Sequence, residues 1–131
     1  VWDPKGQLLD YTQQEQWIRD LCREYNVITI VYDPYQLHHM LGSRLKSIVW
    51  TQEFNQRSKR TVADQQLFQS IMQEKIRHMN QQILLRHLRN ADAKIDDSNH
   101  SRRLIKRYDS LKIDSAVALS MANQECLRLN L

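Results

Sequence analysis

Two aspartates in this chain stand where a carboxylate can do chemistry. Asp33 closes the apolar run Val27-Ile28-Thr29-Ile30-Val31-Tyr32 and is followed by Pro34 and Tyr35. Asp114 lies in Lys112-Ile113-Asp114-Ser115-Ala116-Val117-Ala118-Leu119, at the head of a small-residue segment near the C-terminus. In open α/β sheets ligands gather beyond the carboxyl ends of the strands, and Asp33 falls at such an end. A helix rich in Ser and Ala can lie close to a sheet and bring a first-turn carboxylate to the same place. Two carboxylates held there offer hard oxygen ligands to Mg²⁺ or Mn²⁺. A pair of such ions about 3.5–4 Å apart activates water and stabilises the leaving oxygen of a phosphodiester. Each residue also has a structural explanation. Asp is a preferred N-cap, with Pro tolerated at the first helical position, and an acid at a helix start interacts well with the dipole.

The elements that must position these residues follow from periodicity. Thr12-Gln13-Gln14-Glu15 has the spacing of a capping box and opens a helix with Trp17, Ile18, Leu21, Cys22 and Tyr25 on one face. The β-branched run from Val27 to Tyr32 predicts a strand covered on both faces. Asp33-Pro34 caps a second helix carrying Leu37, Met40, Leu41 and Leu45, and Ser47 to Thr51 predicts a second strand. A basic polar loop follows from Gln52 to Arg60. Thr61 then caps a long helix with Leu67, Phe68, Ile71, Met72, Ile76 and Met79 along one stripe. A shorter helix carries Ile83, Leu84, Leu85 and Leu88. Residues 91–108 predict a β-hairpin with its tip at Asp96-Asp97-Ser98-Asn99-His100, and a last helix runs from about Leu111 to Leu127 or beyond. Helix–strand–helix–strand order requires a crossover between parallel strands, so the fold class is α/β.

Composition narrows the chemistry. At 131 residues, 41% hydrophobic and 26% charged, the chain has the makeup of one globular domain. No apolar run approaches the roughly 20 residues that span a bilayer. No signal-like segment opens the chain, so no membrane association and an intracellular, cytoplasmic location are expected. Cys22 and Cys126 stand alone, without the spacing of a metal site or disulfide framework. Only Gly6 and Gly42 are present, which excludes a glycine-rich phosphate loop. His38 and His39 are adjacent and face different sides of a helix. His78 and His87 end helical stripes and are expected at the surface or at an interface. The net charge is +4, with one basic group at Arg57, Lys59 and Arg60 and another at Arg102, Arg103, Lys106, Arg107 and Lys112. Such groups neutralise nucleic-acid phosphates and release counterions, or simply keep a surface solvated.

The order Tyr25-Asn26-Val27, Val31-Tyr32-Asp33-Pro34-Tyr35, Val49-Trp50-Thr51-Gln52, Asn90, Lys106 and Lys112-Ile113-Asp114-Ser115-Ala116-Val117-Ala118-Leu119-Ser120-Met121-Ala122 resembles the C-terminal nuclease domain of tailed-phage terminase large subunits. The resemblance covers nearly the whole chain. It implies a ribonuclease H-like fold, a mixed sheet with helices on both faces, that cuts concatemeric double-stranded DNA with Mg²⁺ or Mn²⁺ in a two-metal site. It implies a parent protein with an ATPase motor, working with a terminase small subunit and a portal in the cytoplasm of a bacterial host. Carried over by position, Asp33 matches the family's second metal-binding aspartate and Asp114 its third. Lys106 matches a lysine ahead of the last helix that contacts phosphate, and the loop with Arg57, Lys59 and Arg60 is a further candidate for DNA, as is Lys112.

The family's first catalytic aspartate lies on the opening strand of the sheet. Residues 1–131 are therefore expected to form a single, partial nuclease domain with its first strands missing and two of three metal ligands, weak or inactive in isolation. Two other readings remain at this point. The chain is a non-catalytic DNA- or protein-binding α/β module whose aspartates only cap helices, or another ribonuclease H-like nuclease of the resolvase or transposase type.

Overall fold

The computed structural model describes residues 11–35, 44–96 and 101–131. They fall in two compact units, Val1–Asn55 and Gln56–Leu131.

In the first unit, helix α1 (Tyr11–Glu24) precedes strand β1 (Thr29–Tyr32), which pairs in parallel with β2 (Trp50–Glu53). The parallel pair is the one that the helix–strand alternation requires. Its register sets Thr29 against Trp50 and Tyr32 against Glu53. Strand β2 begins later than the apolar run suggested, because Ser47–Val49 lie in a turn whose Ile48 and Val49 amides both donate to the Leu45 carbonyl. Helix α1 already includes Tyr11, ahead of the Thr12 read as its cap, and Glu15 accepts from Arg19 and Arg44 at 2.7 and 3.4 Å. The core is small. Tyr32 and Leu45 are buried with Ile18 against them, and Val49 and Phe54 are buried as well. Trp17, Tyr25 and Ile28, expected to face inward, are exposed. Leu37, Met40 and Leu41 of the second helix's expected face lie outside the described residues, while its fourth member, Leu45, is buried in the turn before β2.

Tyr32 ends β1 with its ring buried and its hydroxyl donating to Glu53 Oε1 at 3.2 Å. Burial, and then the Glu53 carboxylate beside it, push its phenol above the ordinary value. The neutral form is thus favoured in the fold. Its contribution to stability is complete below the unfolded pKa of about 10 and is lost as pH rises through the raised one. An ultraviolet titration of the folded chain should show one tyrosine ionising late, and Tyr32→Phe should remove that step. Persistence of the late step in the variant would show the phenol to be a different one.

In the second unit, helices α2 (Arg60–Met72) and α3 (Gln82–Asn90) are followed by the antiparallel pair β3 (Ala91–Asp96) and β4 (Ser101–Lys106), then by α4 (Asp114–Leu129). The hairpin strands match the expectation, and the tip at 97–100 lies outside the described residues. Helix α2 differs from the reading in length and in face. It stops at Met72, where Glu74 at φ 55° and the Lys75 amide bonded to the Ser70 carbonyl close a Schellman turn. Ile76 and Met79 therefore fall beyond it. Its buried positions are Arg60, Ala63, Asp64, Leu67 and Ser70, while Phe68, Ile71 and Met72 are exposed.

A polar hub explains that rotation. The Asp64 carboxylate receives Arg60 Nε at 2.8 Å, the Leu104 amide of β4 at 2.9 Å and the Ser120 hydroxyl of α4 at 2.5 Å. Arg60 also donates to Gln56 Oε1 at 2.8 Å. One buried carboxylate thus ties three elements together. Small residues permit the approach: Ala116 and Ser120 are fully buried on α4, which packs on α2 and α3. One turn along α2 from Asp64, the Phe68 ring has the Arg102 guanidinium 3.8 Å from its centre, a cation–π contact. Among the described residues the strands thus form two separate pairs, one parallel and one antiparallel.

Candidate metal and nucleic-acid site

Asp33 follows β1 directly and is half-buried in the first unit. Pro34 and Tyr35 are helical, and Asp33 Oδ1 accepts the Tyr35 amide at 3.0 Å. This is the N-cap geometry, in which a side-chain oxygen satisfies the amide two residues on. Its second oxygen has no hydrogen bond from a described residue. Capping and ligation are therefore compatible, one oxygen for each.

Asp114 belongs to the second unit and is the first residue of α4. It is exposed, and its carboxylate has no hydrogen bond or ion pair with a described residue. The residue before it, Ile113, occupies the cap position of α4 and is apolar and buried. The Ser115 amide is instead taken by His87 Nδ1 of α3 at 3.0 Å. One turn further along α3, Asn90 Nδ2 donates to the Lys112 carbonyl at 2.9 Å. His87, expected at the surface or at an interface, is 4% exposed where α3 meets the start of α4. The signal that could have found it is Ile113, a residue unable to cap at the start of a helix.

The basic candidates divide. Lys106, the last residue of β4, and Lys112, two residues before α4, are exposed, with Lys106 Nζ 3.5 Å from the Asp109 carbonyl. Arg57 is exposed in the turn before α2, and Lys59 is half-buried at the position preceding that helix. Arg60, read with them as a DNA contact, is corrected. It is 8% exposed, and its guanidinium is engaged by Asp64, Gln56 and the Leu104 carbonyl. A buried charge needs its partners more than a phosphate could use it.

The donor chemistry of Asp33 and Asp114 suits a hard cation, since each keeps an oxygen that no described residue binds. No group of three or more His, Cys, Asp or Glu residues that could hold a metal occurs among the described residues. Asp64 does not supply a further ligand, because Arg60, Leu104 and Ser120 already occupy its carboxylate. Cys22 and Cys126 are free thiols. No described helix is long and apolar enough to cross a membrane.

No curated protein and no solved structure gives a significant match to this chain. A family model does, that of the terminase large subunit endonuclease domain, over residues 2–129. That span takes in both candidate aspartates, the basic stretch from Lys106 to Lys112 and every described element, so the chain belongs to the terminase large subunit endonuclease domain family.

Proposed function

We propose that this chain is the DNA-cutting part of a phage or prophage terminase large subunit, with a ribonuclease H-like sheet. In this reading Asp33 and Asp114 hold Mg²⁺ or Mn²⁺ in a two-metal site, and Arg57, Lys59, Lys106 and Lys112 contact the phosphates of double-stranded DNA. The observation that carries it is the family match over residues 2–129 together with the unengaged carboxylate oxygens at both aspartates. The bound metal would supply a nucleophilic water and charge stabilisation at the leaving oxygen. The chain's own task is to orient each carboxylate within its unit, Asp33 by the Tyr35 amide and Asp114 by its place in the first turn of α4. The substrate would be concatemeric phage DNA in the bacterial cytoplasm, and the partners a terminase small subunit, a portal and an ATPase motor.

The test is a plasmid-nicking assay in Mn²⁺, with calorimetric Mn²⁺ titration of the same proteins. Asp33→Asn and Asp114→Asn should each lower cleavage by about 10²-fold, the loss of several kcal/mol of charge stabilisation, and weaken Mn²⁺ binding in parallel. Unchanged binding and cleavage in both variants would sink the assignment. A second reading, a DNA-binding module without catalysis, is favoured by the cap bond of Asp33 to Tyr35 at 3.0 Å. It predicts a different pattern: Asp33→Ala, which removes the cap oxygen, lowers thermal stability, while Asp33→Asn, an equally good cap, leaves both stability and Mn²⁺ affinity alone.

A further inference from the structure

We propose that the last turn of α3 is a clamp that sets the position of Asp114, with His87 and Asn90 as positioning residues; the inference rests on the reading of Asp114 as a metal ligand. A helix start leaves its first amides without partners inside the helix, and the side chain at the cap position normally accepts one of them, two or three residues on. Ile113 has no atom to do this. His87 does it from another helix, its Nδ1 accepting the amide of Ser115, the second residue of α4, at 3.0 Å. The acceptor role of Nδ1 places the ring proton on Nε2.

Asn90 is three residues further on, and side chains at that spacing share one face of a helix. Its Nδ2 donates to the Lys112 carbonyl at 2.9 Å. The two bonds bracket Asp114, one from the residue after it and one from two residues before it. The Asn90 carbonyl also accepts the Arg107 amide at 2.9 Å. Both ends of the stretch bearing Lys106 and Lys112 are thus fixed to the same turn of α3. His87 is buried and Ile113 is buried next to the segment, so the clamp sits on packed ground while the Asp114 carboxylate stays exposed. Groups that hold a metal ligand in place without touching the metal change its affinity by about 10–100-fold when removed.

The experiment compares His87→Leu, His87→Asn, Asn90→Ala and Asp114→Asn in the full chain. Mn²⁺ affinity is read by calorimetry, and amide hydrogen exchange at Ser115 by NMR without metal. His87→Leu removes the acceptor, and His87→Asn restores an oxygen near the place of Nδ1. The expected result is faster Ser115 exchange and a 10–100-fold weaker Mn²⁺ affinity in His87→Leu, with most of both recovered in His87→Asn. Asn90→Ala should weaken Mn²⁺ affinity in the same range, which keeps the test alive if His87→Leu does not fold. If the clamp variants leave Mn²⁺ affinity unchanged while Asp114→Asn lowers it, the clamp is overturned and the site assignment stands. Equal losses in His87→Leu and His87→Asn also overturn it, since bulk rather than the acceptor would then matter. If Asp114→Asn itself leaves Mn²⁺ binding untouched, the site reading fails and the clamp's role in it fails too.

Discussion

Asp64→Ala is expected to unfold the second unit at ordinary temperatures. The substitution leaves the Arg60 guanidinium buried and without its carboxylate, which costs about 3–5 kcal/mol for a broken buried pair. It also strips the Leu104 amide and the Ser120 hydroxyl of their acceptor, each worth about 1–3 kcal/mol when left unsatisfied. Total stabilities of about 5–15 kcal/mol leave little margin for such a loss. In a unit of this size each kcal/mol moves the thermal midpoint by roughly 4–8 °C, so a fall of about 15 °C or more is expected by circular dichroism. Asp64→Asn should cost less, because its amide oxygen still accepts a bond. The sharper measurement is a double-mutant cycle with Arg60→Met and Asp64→Leu. Each single change strands one charge; together they remove both, so the double variant should cost well under the sum of the singles. Additive costs would show that the two residues do not act as a pair.

That hub also marks where sequence reasoning ran out. The strand ending at Tyr32, the hairpin strands and the last helix were legible, because runs of β-branched residues, turn residues and small-residue spacing are local signals. The parallel pairing was legible through topology, since chain order alone demands a crossover. The buried face of α2 was not. Its apolar stripe through Phe68, Ile71 and Met72 is a real 3.6-residue pattern, yet the helix is turned so that Asp64 reaches residues 40 and 56 positions away. Hydrophobic periodicity cannot rank a carboxylate above three apolar side chains. Arg60 was misread for the same reason: a basic run looks solvated until a partner four residues on is seen to be buried with it. Of the candidate site, the residue types were legible and their supports were not. Nothing local in His87 says that it will cap a helix 28 positions away.

Removing the four proposed phosphate contacts should change DNA binding mainly through its salt dependence. Each phosphate neutralised on B-DNA adds about 0.9 to the slope of log affinity against log salt. Replacing Arg57, Lys59, Lys106 and Lys112 together with Gln should therefore flatten the slope by up to about 3.6, and lower affinity by roughly three orders of magnitude at 0.1 M salt. Fluorescence anisotropy with a labelled duplex over a range of salt reads both quantities. The loss should be nearly the same for unrelated duplex sequences, because phosphate contacts carry no base information. Arg60 provides the internal comparison. Its guanidinium faces Asp64 rather than solvent, so any effect of Arg60→Gln on affinity should track loss of folded protein and leave the slope of the remaining folded fraction alone. A slope unchanged in the four-residue variant would place the phosphate contacts elsewhere on the chain. A slope that flattens only for Lys106 and Lys112 would confine them to the stretch that α3 holds beside Asp114, where a bound backbone would also meet the proposed metal ligand.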